Sequence, residues 1–406
     1  MIARVAFISM HTSPLRNPGE GDAGGMNVYL HELSTTMAAQ NVAVDVFTRR
    51  DHLRLPETVT VAPGYRVHHL QAGPPCALPI EWQAPHLEEF SQAILERLEA
   101  GTARPDLVHS HYWLSGWAAL EVKEKLGIPM ANSFHTLGRV KDATRRADQS
   151  PTHPMRIATE ETLISGADCV VASTPFEADD LMDHYGADPT KLCISPPGVN
   201  RTHFKPGDQA TARRRLGLGA GPLALFVGRI QALKGPDVAL AAVETARRRI
   251  PDLRLLVVGG PSGPEGKREM EALRAAASGL GQGAVRFYSP VPHDRLGDFY
   301  RAADVLVAPS RSESFGLAVA EAQACGLPVV AARRGGLMYV VEDGGSGRLV
   351  DGWDPDGYAL AITEMLEDEE LRAGMSARGV EWAQQYSWQA TSERLLELYR
   401  SVLFRP

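Results

Sequence analysis

The sequence predicts an α/β protein made of two doubly wound parallel-sheet domains facing each other across a cleft. Three observations carry that prediction. Short Val- and Ile-rich runs alternate with longer amphipathic stretches along the 406 residues, which is the pattern of βαβ units. The alternation breaks once, at the Pro-, Gly- and polar-rich "PPGVNRTHFKPGDQ" (196–209), a linker composition. Beyond the break it restarts from a new buried run.

Taken in order, "RVAFIS" (4–9) reads as the first strand, because a short apolar run bounded by polar turn residues fits a buried strand. "VAVDVFT" (42–48), "YRVHHL" (65–70), "DLVHSH" (106–111), "PMANSFH" (129–135) and "CVVAS" (169–173) follow it, with helical patterns at 26–40, 87–100, 114–126 and 155–166. After the break come "LALFVG" (223–228), "LRLLVVGG" (253–260), "AVRFYS" (284–289), "DVLVAP" (304–309) and "LPVVAA" (327–332). Helical stretches over about 355–403 close the chain. The expected division is therefore 1–203 and 204–387, with a closing segment over 388–406.

A formal net charge of −7 argues against nucleic acid or an anionic membrane surface as the main partner. No apolar run approaches the length of a membrane span, and the N-terminus lacks the pattern of a signal peptide. Four scattered cysteines, Cys76, Cys169, Cys193 and Cys325, have no metal-ligand spacing. Three sit in apolar surroundings and read as small buried hydrophobes, Cys76 as exposed, a usage that suits a reducing cytoplasm.

Ligands of open parallel sheets sit beyond the carboxyl ends of strands. The loop after the first strand lacks the tight GxGxxG turn of a dinucleotide-binding enzyme, which excludes a nicotinamide dehydrogenase. Its Gly24-Gly25 pair opens a helix, and two readings stay open: bare amides meeting an anion, or a loop that needs positive φ. After the first strand of the second half, "VGRIQALKGPD" carries Arg229 and Lys234 into a turn, suited to a diphosphate or to a solvated surface pair. In "SRSESFGLAVAEAQACG" (310–326), a strand ends and a helix is expected to start at Phe315 or Gly316. Its free amides favour an anion. Glu313 just ahead and Glu321 in the second turn then read as acceptors for hydroxyls on either side of it. Sugar, diphosphate and ribose together make a nucleotide sugar. The competing reading is a helix cap and a surface glutamate.

"ESFGLAVAE", with its Glu-x7-Glu spacing, resembles the signature of retaining glycosyltransferases of the GT-B fold, family 4. "GDAGGMNVY", "HSHYWLSGW", "FHTLGRVK", "SPPGVN", "VGRIQALKGPDV" and "YRAADV" extend the resemblance over nearly the whole chain. Within the family the motifs are most similar to the D-inositol 3-phosphate glycosyltransferases of mycothiol synthesis. Sucrose-phosphate synthases follow, through "HTLGRVK".

The resemblance implies two Rossmann-like domains, the first binding an acceptor and the second a UDP-sugar, with the closing segment (388–406) packed back on the first. It implies that Arg229 and Lys234 hold the diphosphate, and that Glu313 contacts the transferred sugar beside the amides of Phe315, Gly316 and Leu317. Glu321 would hold the ribose, Gly25 would lie against the phosphates or sugar, and His11 and His135 would border the reacting centre. His111 is expected nearer the cleft than His109, a core residue. Front-side attack with retention would need no enzymic nucleophile, metal or cofactor. For the acceptor, the resemblance implies Asp22, Gly24 and Asn27 of the first loop, with Tyr112, Thr136 and Arg156. The family's phosphate-holding Lys has no counterpart: Ile80 stands at its place, give or take a residue. Arg139, Lys141, Arg145 and Arg146 are candidates to compensate, or a solvated basic face. Expected partners are a nucleotide sugar and a small polyol or sugar phosphate. Sucrose-phosphate-synthase-like transfer to a hexose phosphate, and a nucleotide-sugar epimerase or hydrolase, are the alternatives. Donor sugar and oligomeric state stay open, a homodimer included.

Overall fold

The computed structural model describes residues 2–101 and 103–404. Eight strands build the first sheet: β1 (Arg4–Ile8), β2 (Ala43–Arg49), β3 (Thr58–Ala62), β4 (Tyr65–Leu70), β5 (Leu107–His111), β6 (Met130–Ser133), β7 (Cys169–Ala172) and β8 (Leu192–Ile194). Their order is β3-β4-β2-β1-β5-β6-β7-β8. All pairs are parallel except the β3–β4 edge. Six strands build the second: β9 (Leu223–Val227), β10 (Arg254–Val258), β11 (Val285–Tyr288), β12 (Val305–Ala308), β13 (Val329–Ala332) and β14 (Gly347–Val350). Their order, β11-β10-β9-β12-β13-β14, is entirely parallel. It is the 3-2-1-4-5-6 order of a doubly wound sheet.

Continuous apolar runs became strands because both sheet faces are covered. In β1, Val5 and Phe7 enter the core on one face, Ala6 and Ile8 the core on the other. The second lobe has one large core around β9, β10, β12 and β13. Cys169, Cys193 and Cys325 are buried and Cys76 is exposed.

Three strands lie outside the sequence expectation. β3 ("TVTVA") is a Thr-rich edge strand with no fully buried residue, so it lacks the apolar run that marks the others. β8 and β14 have only three and four residues. The 355–403 stretch divides into helices Pro355–Glu367, Glu369–Trp382 and Trp388–Leu403.

The chain passes between lobes twice, and the passages touch. A Cβ on Gly198 would lie 2.2 Å from the backbone N of Trp388, so only glycine allows the approach. Thr391 Oγ1 donates to Pro196 O at 2.8 Å. Ser387 caps the last helix by accepting from Ala390 N, worth about 1 kcal/mol. That helix then buries Leu395, Tyr399 and Val402 in the first lobe's core, at helical spacing. Residues 405 and 406 of the expected 388–406 segment lie outside the described residues. Among the described residues no helix is long and apolar enough to cross a membrane.

Candidate active site

Connections leave in opposite directions from β1 and β5, and again from β9 and β12, so each sheet has a crevice at its carboxyl edge. The two crevices face one another across a cleft of about 1360 Å³. One drug-sized ligand fills roughly 300–1,000 Å³, so the cleft has room for two substrates. His11 follows β1, Tyr112 follows β5 and His135 follows β6; Arg229 and Lys234 follow β9, and Glu313 follows β12. All six line the cleft.

On the second lobe, the helix after β12 starts at Leu317, with Gly316 before it at φ 102°. The sequence expectation set its start one or two residues earlier. Among the described residues, the N–H groups of Phe315, Gly316, Leu317 and Ala318 donate to no protein acceptor. Gly316, Leu317 and Ala318 line the cleft, as does the largely buried Phe315. Gly335 and Gly336, which the sequence reading passed over, clamp this loop. Gly336 N donates to Glu313 O at 2.8 Å, and a Cβ on Gly336 would lie 2.3 Å from Ser314 O.

Glu313 Oε2 accepts from Lys234 Nζ at 2.5 Å. The Lys234 turn is held by Arg311, another residue the sequence reading left aside. Arg311 donates its N–H to Leu233 O at 2.7 Å, Nη1 to Ala232 O at 2.5 Å, and its fork to Asp237 at 3.2 and 3.0 Å. Glu321 is 3% exposed, its oxygens engaged by His293 Nε2 at 2.6 Å and Tyr300 OH at 3.0 Å. Burial opposes charge on His293, but the Glu321 carboxylate outweighs it and raises the histidine's pKa. Each carboxylate oxygen keeps a further lone pair, and Glu321 reaches the cleft.

Two of the contacts between the lobes border the cleft directly. Ser314 Oγ donates to His135 O at 2.5 Å, and Thr174 Oγ1 to Ser314 O at 3.1 Å. Arg229 lies under the first loop: a Cβ on Gly24 would be 3.3 Å from its Nε, and Ser262 Oγ reaches Asp22 Oδ1 at 3.2 Å. Neither Gly24 nor Gly25 has a positive φ, so the reading that the pair serves a left-handed turn is corrected. Gly24 permits the approach of Arg229, and a Cβ on Gly25 would meet nothing within 4 Å.

On the first lobe, Arg156 gathers the acceptor-side residues. It donates to Tyr112 OH at 2.9 Å, Thr136 O at 2.8 Å, Thr136 Oγ1 at 3.2 Å and Glu160 Oε1 at 2.7 Å. Its guanidinium lies 4.9 Å from the Tyr112 ring centroid. Asn27 is elsewhere. Its amide donates to Thr12 Oγ1 at 2.7 Å and Ser13 O at 2.6 Å, and its oxygen accepts from Gly24 N at 2.8 Å. It is buried and outside the cleft lining; it staples the loop to its helix.

The four basic candidates separate. Arg139 pairs with Glu161, and Arg146 with Asp148 and Glu269. Arg145 lines the cleft and donates to Gln149 O. Lys141 lines the cleft, and its ammonium has no ion pair or hydrogen-bond partner among the described residues. Burial, then the nearby Arg156, lower its pKa. Ile80 lies opposite on a short turn with Trp82, 68% exposed, and Met155 is also exposed at the cleft.

Burial disfavours charge on the histidines around the reacting centre of the first lobe. Burial, followed by the charges of Arg229, His135 and Arg156, pulls His11 down to about 3. Burial pulls His135 down to about 4. His109 and His111 are both fully buried and neither lines the cleft, but His111 Nδ1 lies 2.9 Å from Nε2 of the cleft-lining His135, so of the two His111 is the nearer to it. Spaced two apart on β5, they share one sheet face. His109 bonds Tyr399 OH at 2.6 Å and Ser133 Oγ at 2.9 Å. Among the described residues no group of three or more His, Cys, Asp or Glu side chains is gathered as a metal site.

The family model for glycosyl transferases group 1 matches residues 208–382, and that for glycosyltransferase family 4 matches residues 23–203. The chain is 46% identical to a D-inositol 3-phosphate glycosyltransferase of Acidothermus cellulolyticus, over 98% of this chain and 90% of that one. Its structure is similar to that of a sucrose-phosphate synthase from Thermosynechococcus elongatus, with TM-score 0.91, 32% identity and 98% of both chains covered. It is similar in fold to Anabaena HepE in complex with UDP and glucose, with TM-score 0.77, 18% identity and coverage of 98% and 100%.

Proposed function

The chain belongs to the group 1 glycosyl transferases, with a family 4 glycosyltransferase domain ahead of the group 1 domain, and on that premise we propose its reaction. It moves a hexose or N-acetylhexosamine from a UDP-sugar, with retention, to a small phosphorylated polyol or sugar. The observation that carries this reading is the run of unpartnered amides from Phe315 to Ala318, facing a cleft that also holds Arg229 and Lys234. These donors are fixed where a leaving diphosphate gains charge, and each typically contributes about 3 kcal/mol to lowering the barrier. Glu313, held by Lys234 in the free enzyme, accepts from hydroxyls of the transferred sugar. Glu321, oriented by His293 and Tyr300, accepts from the ribose. The acceptor hydroxyl passes its proton to the departing phosphate, so the chain supplies no nucleophile.

On the acceptor side, Lys141, Arg156, Tyr112 and Thr136 form the phosphate subsite. Lys141 supports this because its ammonium lines the cleft with no hydrogen-bond or ion-pair partner among the described residues, and it would supply the charge absent at Ile80. Ile80, Trp82 and Met155 make the lip of this subsite apolar, so the pocket differs from one lined by a second cation.

UDP release is the test, with UDP-glucose and UDP-N-acetylglucosamine each offered inositol phosphate, fructose 6-phosphate, unphosphorylated sugars or no acceptor. Release that requires a phosphorylated acceptor agrees with the proposal. Equal release without any acceptor refutes it in favour of a hydrolase.

A further inference from the structure

His135 borders the cleft with its backbone in the left-handed region, at φ 59°. Its carbonyl is fixed by Ser314, and its Nε2 lies 2.9 Å from Nδ1 of His111. The two rings lie 27° from parallel with centroids 5.2 Å apart. Tyr29, His109 and Phe7 pack around the pair, and burial keeps both imidazoles neutral. One hydrogen therefore occupies the link between them.

Two arrangements are available. If His111 carries its hydrogen on Nε2, that N–H is buried with no acceptor, because Nε2 of His111 has no partner among the described residues. If it carries the hydrogen on Nδ1, the unpartnered Nε2 is a bare lone pair. A buried orphan N–H is the rarer and costlier of the two defects.

The geometry points to His111 as a positioning residue that fixes the tautomer of His135: Nδ1–H of His111 donates to Nε2 of His135, which places the hydrogen of His135 on its own Nδ1. Among the described residues that nitrogen has no hydrogen-bond partner, on a residue lining the cleft. The cleft thus receives a neutral N–H donor from His135, matched to a substrate oxygen that accepts. It does not receive a base, since the available nitrogen already holds its proton. Deprotonation of an acceptor hydroxyl by His135 is excluded by the same argument. The inference rests on the transferase reading only for the identity of that oxygen, a hydroxyl or phosphate oxygen of the nucleotide sugar.

The direct test is the 15N spectrum of the full-length protein labelled at histidine, with His135 assigned by the signals lost in His135→Phe. A protonated Nδ1 and a bare Nε2 on His135 are expected; a protonated Nε2 overturns the inference. The kinetic test compares His111→Leu with His111→Asn, whose amide keeps an N–H at the Nδ1 position. The Leu variant should lose roughly ten- to a hundredfold in kcat, the scale seen when a residue orienting a ligating histidine is removed, with little change in either KM. The Asn variant should recover most of that loss. Equal loss in both variants overturns the positioning role. A wild-type protein that transfers no sugar contradicts the transferase reading instead, and leaves the 15N result to decide the tautomer.

Discussion

Lys234 Nζ and Glu313 Oε2 meet at 2.5 Å, joining the loop after β9 to the loop after β12. Both side chains are about one-fifth exposed, and the pair lies at the switch point of the second sheet. On the proposed reading, a diphosphate entering beside Lys234 would compete with Glu313 for its charge and free the carboxylate to turn to the sugar. Glu313→Ala should therefore lower kcat about a hundredfold, about 3 kcal/mol of transition-state stabilisation. Folding stability should change by about 1 kcal/mol or less, since a partly exposed pair contributes little. Steady-state kinetics and urea unfolding on one preparation check both halves. Undiminished transfer by the variant contradicts the role.

Lys141→Met should discriminate between acceptors. With a phosphorylated acceptor, KM should rise by a factor corresponding to a lost charged hydrogen bond, about 1.5–3 kcal/mol. The KM for the nucleotide sugar should stay near wild type. A variant that weakens both substrates equally would place Lys141 on the donor side.

Arg311→Lys retains the charge but not the fork that binds Ala232 O and Asp237 together. The turn carrying Lys234 should loosen, raising the donor KM. Stability should fall by about 1–3 kcal/mol, because the carbonyl of the buried Ala232 loses its donor. Isothermal titration with UDP checks the binding half, and unchanged UDP affinity would leave Arg311 a purely structural residue.

Acid should destabilise the fold. Burial lowers the pKa of His11, His31, His69, His109, His111 and His135. As pH falls below about 6.5, the unfolded chain takes up protons at these sites and the folded chain does not. Stability therefore drops with pH, down to about 4 for His135 and about 3 for His11 and His109. Each site contributes up to ~1.4 kcal/mol per pH unit. Burial raises Glu177 to about 6, and the Glu321 carboxylate raises His293 against its burial. Burial also raises Asp180. These three act with the opposite sign, because the folded chain holds their protons to higher pH. The six histidines outnumber them, so the urea midpoint should fall from pH 7 to pH 5. A midpoint that rises toward pH 5 would show that the buried imidazoles are charged in the fold.

The parts of this protein that were legible in the sequence are those whose signal is local. Buried parallel strands announce themselves as apolar runs, and residues following them, such as Arg229, Lys234 and Glu313, fall at carboxyl edges by construction. The edge strand β3 carries no such run: it pairs with β4 alone and has no fully buried residue. Arg311 and His293 act on Asp237 and Glu321 through contacts across the second lobe, 74 and 28 residues apart, for which a linear pattern holds no mark. Gly335-Gly336 did carry a usable signal, a glycine pair just past β13. His109 and His111 share one face of β5, and the one nearer the strand's carboxyl end, His111, contacts the cleft-lining His135. Asn27 matched a motif but serves the loop's own hydrogen bonds.

The most direct test of the account is the proton NMR spectrum of the product formed from a UDP-α-sugar and the preferred phosphorylated acceptor. A new glycosidic bond with the small anomeric coupling of an α-linkage is predicted, because in the proposed reaction leaving group and acceptor share one face. A β-linked product, or free sugar without a glycoside, would contradict it.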